Sequence, residues 1–216
     1  IKKFNSLMSE QKNRGKKAWK GNSSSDNSQF KDIISKYRLN SFIGYDTTKT
    51  KSKILTILDE DFNEIDSLES DKIGWIMLDK TPFYAESGGQ IGDIGVLEID
   101  DILLKVLDTQ KFFDINLSKV KVIKSSINQN LEINSVVINR DEIAKHHSAT
   151  HLLKSALKEI LGDTISQAGS LNSEKRLRFD FTYPKALSKE QLNRVEDLVN
   201  LKIASSLNGN MEELPI

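Results

Sequence analysis

Cysteine is absent from this 216-residue chain. Disulfides, thiol nucleophiles and thiolate metal ligands are therefore excluded within it. No apolar run approaches the roughly 20 residues of a membrane span, and no signal peptide pattern appears. Excess charge of either sign is also missing. The 31 basic and 31 acidic residues balance, so no global field advertises a polyanionic partner. Histidine is scarce, with three in the whole chain. The sequence opens Ile1-Lys2-Lys3 and stops at Leu214-Pro215-Ile216, from which we expect a piece of a larger soluble, cytosolic protein.

What is present falls into three stretches. Residues 1–28 combine a basic helix with a linker: Lys2, Lys3, Lys12, Arg14, Lys16, Lys17 and Lys20 stand against Glu10, and a Ser/Asn-rich run follows from Gly21 to Ser28. Residues 29–139 turn into short β-rich runs, among them 53–58, 73–78, 95–99, 103–107 and 120–123. Many short strands between turn residues suggest a small barrel or sandwich. In residues 140–216 the period changes to helical, with Ile143, Ala144, Leu153, Ala156, Leu157, Ile160 and Leu161 apolar and Gly162 at the cap position. Strands are expected near 164–171 and 176–183, the second placing Leu177, Phe179 and Phe181 on one face. Ser188 and Gln191 form a capping box for a helix of about 20 residues, with the apolar stripe Leu192, Val195, Leu198, Val199 and Ile203. The fold class is α+β: a β-rich small barrel, then a core of helices packed on an antiparallel sheet.

Two of the three histidines, His147 and His151, lie four residues apart on the 140–161 helix, one turn apart on the same face. Both imidazoles can converge on one divalent metal, which polarises carbonyls or activates water. Ser148 stands where a zincin protease needs its glutamate, so a metalloprotease is disfavoured. His146 points about 100° away around the helix, and a carboxylate such as Asp163 or Asp180 is not singled out by spacing. Thr150 projects from a similar side to His147. The run Ala85-Glu86-Ser87-Gly88-Gly89-Gln90-Ile91-Gly92-Asp93 is neither a P-loop nor a dinucleotide fingerprint. It is either a turn needing positive φ or a loop whose backbone closely approaches a ligand or another domain. Gln167 sits on the strand after the histidine helix, and Arg178 with Asp180 reads as a surface ion pair.

These segments together, with His147-Ser148-Ala149-Thr150-His151-Leu152-Leu153, Gln167-Ala168-Gly169-Ser170-Leu171 and Arg178-Phe179-Asp180-Phe181, resemble the editing region of the alanyl-tRNA synthetase family. Free-standing editing proteins share that core, and threonyl-tRNA synthetases share it more distantly. The resemblance implies hydrolysis of the ester in Ser-tRNA(Ala) or Gly-tRNA(Ala). It implies a Zn2+ ion held by His147 and His151 and by a later C-x-x-x-H that has no counterpart here, so that this piece alone is expected to be inactive. Thr150 and Gln167 are the implied catalytic-pocket residues, and tRNA(Ala) is the implied partner, without membrane or DNA. ATP would serve only the aminoacylation domain of the full-length enzyme. Serine and glycine are close to alanine in size, and such differences give a synthetic pocket only about 1–3 kcal/mol, which is why a second, hydrolytic pocket is useful. The alternatives are a free-standing editor and a non-catalytic tRNA-binding module, in which the basic N-terminal residues, Arg176 or Arg178 would meet phosphates.

Overall fold

Alternating apolar residues, with left-handed turns at Phe62, Asp71, Asp100, Phe113, Ser125 and Asn130, build a closed β-barrel that is followed by a helix–hairpin–helix layer. The computed structural model describes residues 27–206. The expected basic helix at 1–20, most of the linker and residues 207–216 lie outside the described residues. Contacts divide the chain into units 1–39 and 40–216. In the first, helix α1 (Asn27–Tyr37) begins two residues inside the expected linker.

In the second unit, the strands are β1 (Ser41–Phe42), β2 (Lys49–Leu58), β3 (Glu64–Ile65), β4 (Ser67–Leu68), β5 (Ile73–Leu78), β6 (Lys80–Thr81), β7 (Ile94–Ile99), β8 (Ile102–Phe112), β9 (Ile115–Lys124), β10 (Ile127–Asn128) and β11 (Glu132–Ile138). Six of them, β2, β5, β9, β8, β7 and β11, pair antiparallel in that order. A further β11–β2 pairing closes the ring, leaving β3 attached to β2. Register shifts at Ile54/Thr56, Leu103/Leu104 and Val106/Asp108 mark bulges. Each bulge sharpens the local bend, which lets six short strands curl into a barrel. Ile54, Ile76, Leu97, Leu104, Val106, Val120, Val122 and Ile133 fill the interior with Phe83. Burying each such side chain contributes about 1.5–3 kcal/mol.

The barrel ends at Ile138, and helix α2 (Arg140–Leu161) starts two residues later, after Asn139. The hairpin β12 (Gln167–Asn172) and β13 (Leu177–Phe181) follows, then helix α3 (Lys189–Ala204). The two strands are shorter than the expected 164–171 and 176–183 but pair antiparallel as read. Ala156, Leu157, Ile165 and Val195 form the core of this layer, with Leu153, Phe179, Phe181 and Leu198 packed on it. Gly162 closes α2 at φ +98°, a value that favours glycine. Ser188 and Gln191 make the reciprocal cap of α3. That helix is 16 residues long rather than about 20. Its stripe is also narrower than read: Val195 is buried, but Leu192 and Ile203 are 51% and 54% exposed. Both lie about 60–80° around the helix from Val195, past the edge of its contact with α2. The architecture is α+β, as the periodicities indicate.

Candidate functional site

Helix α2 is fastened to the barrel at its first residue. Asn139 caps it in the left-handed region without a side-chain hydrogen bond, and Asp141 and Glu142 in the first turn complement the helix dipole. The Arg140 side chain reaches back across the barrel rim. It donates to the Gly44 carbonyl, to the Pro82 carbonyl at 2.8 Å and to both carboxylate oxygens of Asp93. Asp93 is fully buried and also accepts the Tyr84 N–H at 2.7 Å. Burial pushes its carboxyl above the ordinary value, against the pull of Arg140 and the Tyr84 amide.

The glycine-rich run docks onto the hairpin. Ser87 and Gln90 exchange backbone hydrogen bonds of 3.2 and 2.9 Å around Gly88 (φ +59°) and Gly89 (φ +83°). Asn172 N–H then donates to Gly89 O at 2.7 Å, and Ile91 N–H to Asn172 O at 3.1 Å. A Cβ on Gly89 would stand 2.1 Å from Ser170 Oγ and 2.7 Å from Ser170 O, so no side chain fits there. The run therefore turns through positive φ, as the first reading expects, and its close backbone approach is to the β12–β13 hairpin of the same unit rather than to another domain.

That docking carries Gln90 to the histidine helix. Gln90 is 7% exposed, and its Oε1 lies 2.7 Å from His147 Nδ1. An amide oxygen only accepts, so Nδ1 donates and the Nε2 lone pair remains available. The His147 and His151 rings share one face of α2, their centroids 5.0 Å apart and their planes inclined by 32°. Burial first, and His151 second, hold His147 below its ordinary pKa. A half-buried, neutral imidazole with one nitrogen tied to an amide oxygen has the donor chemistry of a metal ligand. The pair therefore fits a divalent cation as two of its ligands. Among the described residues no group of three or more His, Asp and Glu side chains converges.

The remaining sequence candidates are distributed around this pair. His146 turns away, its Nδ1 2.6 Å from Ser173 O. Thr150 is buried, with its hydroxyl 2.6 Å from Asn172 Oδ1 and 2.8 Å from His146 O. Gln167 is exposed at the start of β12, its Nε2 donating to Ser170 Oγ at 3.2 Å. Asp180 pairs with Arg178 at 3.0 Å on the surface, and Asp163 is exposed. A cavity of about 620 Å³ opens beside His147, lined by Tyr45, Thr47, Tyr84, Gln90 and Arg140. Sequence reasoning passed over Arg140, Gln90 and Asn172 as site-building residues. The one available signal was Asp93, a carboxylate closing the glycine-rich run immediately before the apolar β7.

Comparison with known proteins gives this geometry a family setting. The family model described as tRNA synthetases class II (A) matches residues 1–141. The alanine–tRNA ligase of Aliarcobacter butzleri is 58% identical over 217 residues, covering 100% of this chain and 26% of that protein. That of Sulfurimonas denitrificans is 49% identical over 216 residues, 99% of this chain and 25% of the relative. That of Helicobacter pylori strain Shi470 is 49% identical over 214 residues, with the same coverage of 99% and 25%. The chain thus spans about a quarter of the length of the curated relatives it matches. The family match ends in the first turn of α2, ahead of the histidine pair, whereas the alignments to the relatives run past it.

Proposed function

The chain belongs to the tRNA synthetases class II (A) family, and on that premise we propose that it is the portion of an alanine–tRNA ligase that carries an editing site. The observation that carries this reading is the shared face of His147 and His151, with His147 held through its Nδ1 by Gln90. The reaction is hydrolysis of the ester in Ser-tRNA(Ala) or Gly-tRNA(Ala), in the cytoplasm.

In this reading His147 and His151 would hold a Zn2+ ion as two of its ligands. When bound, the ion supplies Lewis-acid polarisation of the ester carbonyl or acidification of water. The protein's own residues prepare the site. Burial keeps His147 neutral, and Gln90 keeps its Nε2 free. The cavity of about 620 Å³ beside His147 supports this reading as the seat proposed for the ester-bearing end of the tRNA. The family resemblance gives Thr150 and Gln167 the reading of the serine hydroxyl, a distinction that a hydrogen-bonding pocket makes better than an apolar one. Both stand outside the lining of this cavity, Thr150 buried against Asn172 and Gln167 exposed at the start of β12.

Deacylation of Ser-tRNA(Ala) by the full-length protein tests the reading. His147→Ala and His151→Ala should each slow it on the order of 100-fold, by analogy with losses at metal-site residues. Unchanged rates in both variants overturn the metal assignment. The second reading, a non-catalytic tRNA-binding module, draws on the two-member donor set among the described residues. Stoichiometric zinc in the full-length protein excludes it.

A further inference from the structure

We propose that Gln90 is the positioning residue for His147, fixing the imidazole in its Nδ1–H tautomer so that the Nε2 lone pair is presented on the face shared with His151. The proposal rests on the reading of that face as a metal site, and extends it to a residue 57 positions away in sequence.

Three observations carry it. The first is the contact itself, 2.7 Å between an obligate acceptor and a ring nitrogen. A neutral imidazole has one hydrogen, so fixing it on Nδ1 decides which nitrogen is free. The second is the mounting of Gln90. The Ser87–Gln90 backbone exchange and the two bonds to Asn172 hold the residue on both sides. Gly89 packs against Ser170 too closely to allow a side chain. The third is the anchoring of the opposing element. Asn172 also meets the Thr150 hydroxyl, one turn beyond His146 on α2. The loop, the hairpin and the helix therefore close a circuit around the Gln90–His147 contact. Loss of the glutamine oxygen leaves His147 free to change tautomer while the circuit persists.

Nitrogen-15 resonances of labelled histidine, recorded at alkaline pH where the rings are neutral, report the tautomer directly. The natural protein should show His147 as Nδ1–H. Gln90→Glu, which can only accept, should keep that pattern. Gln90→Met, of similar length but with only a weakly accepting thioether in place of the amide oxygen, should lose it. Zinc affinity by chelator competition in the full-length protein should fall about 10–100-fold in Gln90→Met and recover in Gln90→Glu. An Nδ1–H pattern surviving in Gln90→Met, or an Nε2–H pattern in Gln90→Glu, overturns the proposal. So does an unchanged zinc affinity in Gln90→Met where His147→Ala lowers it. If the tautomers behave as expected but His147→Ala leaves zinc affinity intact, the positioning stands and the metal reading fails.

Discussion

Arg140 and Asp93 form a buried ion pair across the seam between barrel and helix, the carboxylate fully buried and the arginine side chain 14% exposed. Such a pair is costly to halve. Asp93→Ala strands a guanidinium, and Arg140→Met strands a carboxylate. Each should destabilise the fold by about 3–5 kcal/mol in urea denaturation. The double variant should recover part of that loss, because neither charge is then left alone. Single variants within 1 kcal/mol of the natural protein would show that water reaches the pair.

Gly88 and Gly89 are adjacent and both at positive φ, yet they should respond differently to alanine. At Gly88 an added Cβ meets nothing within 4 Å, so Gly88→Ala carries only backbone strain, about 1–2 kcal/mol. At Gly89 the added carbon would collide with the Ser170 backbone. Gly89→Ala should therefore cost more and should also separate the loop from β12. Amide exchange at Asn172, whose N–H donates to Gly89 O, reads that separation. Equal protection in the two variants sinks the distinction.

Thr150 separates a structural from a chemical contribution. Thr150→Val removes a buried hydroxyl and leaves Asn172, 2% exposed, without that partner. The expected loss is about 1–3 kcal/mol by thermal or urea unfolding. Thr150→Ser keeps the hydroxyl and should keep most of the stability. If Thr150→Ser is fully stable but discriminates serine from alanine esters less well, the threonine also serves specificity.

His147 titrates below its ordinary value because burial disfavours the imidazolium and His151 adds like charge. The unfolded chain therefore takes up this proton first. The associated stability is fully present above about pH 6.5, the ordinary imidazole value, and is lost as pH falls through the folded pKa. Unfolding free energy measured across that window should decline toward acid. His147→Gln should flatten the decline, and an identical slope in that variant removes His147 as its source.

The histidine helix and the hairpin were legible because their signals are local. Apolar residues recur every three or four positions from Leu153 through Ala156 and Leu157 to Ile160 and Leu161, and Leu177, Phe179 and Phe181 alternate. Gly162 and the Ser188–Gln191 box marked ends that the structure keeps. Barrel closure was less visible, because the β11–β2 pairing joins residues about eighty positions apart and depends on bulges that no local pattern announces. Arg140 was hidden for a related reason. A charged residue in a first helical turn reads as solvated until the barrel rim supplies the Asp93 carboxylate and the Gly44 and Pro82 carbonyls. Gln90 was visible as part of a glycine-rich run, but its partner became apparent only once the loop lay on β12.

Strand β11 pairs with β2 through residues 132–136 and with β7 through residues 134–138, and Arg140 follows two residues after its end. The strand that seals the barrel is thus also the stalk of the histidine helix. Separation of β11 from β7, whose first residue Ile94 pairs with Ile138, would draw Arg140 away from Asp93 and unmoor the first turn of α2. The histidine helix is mounted on the same strand that closes the barrel, and a substitution among the closing strands that shifts β11 shifts the base of the histidine helix with it.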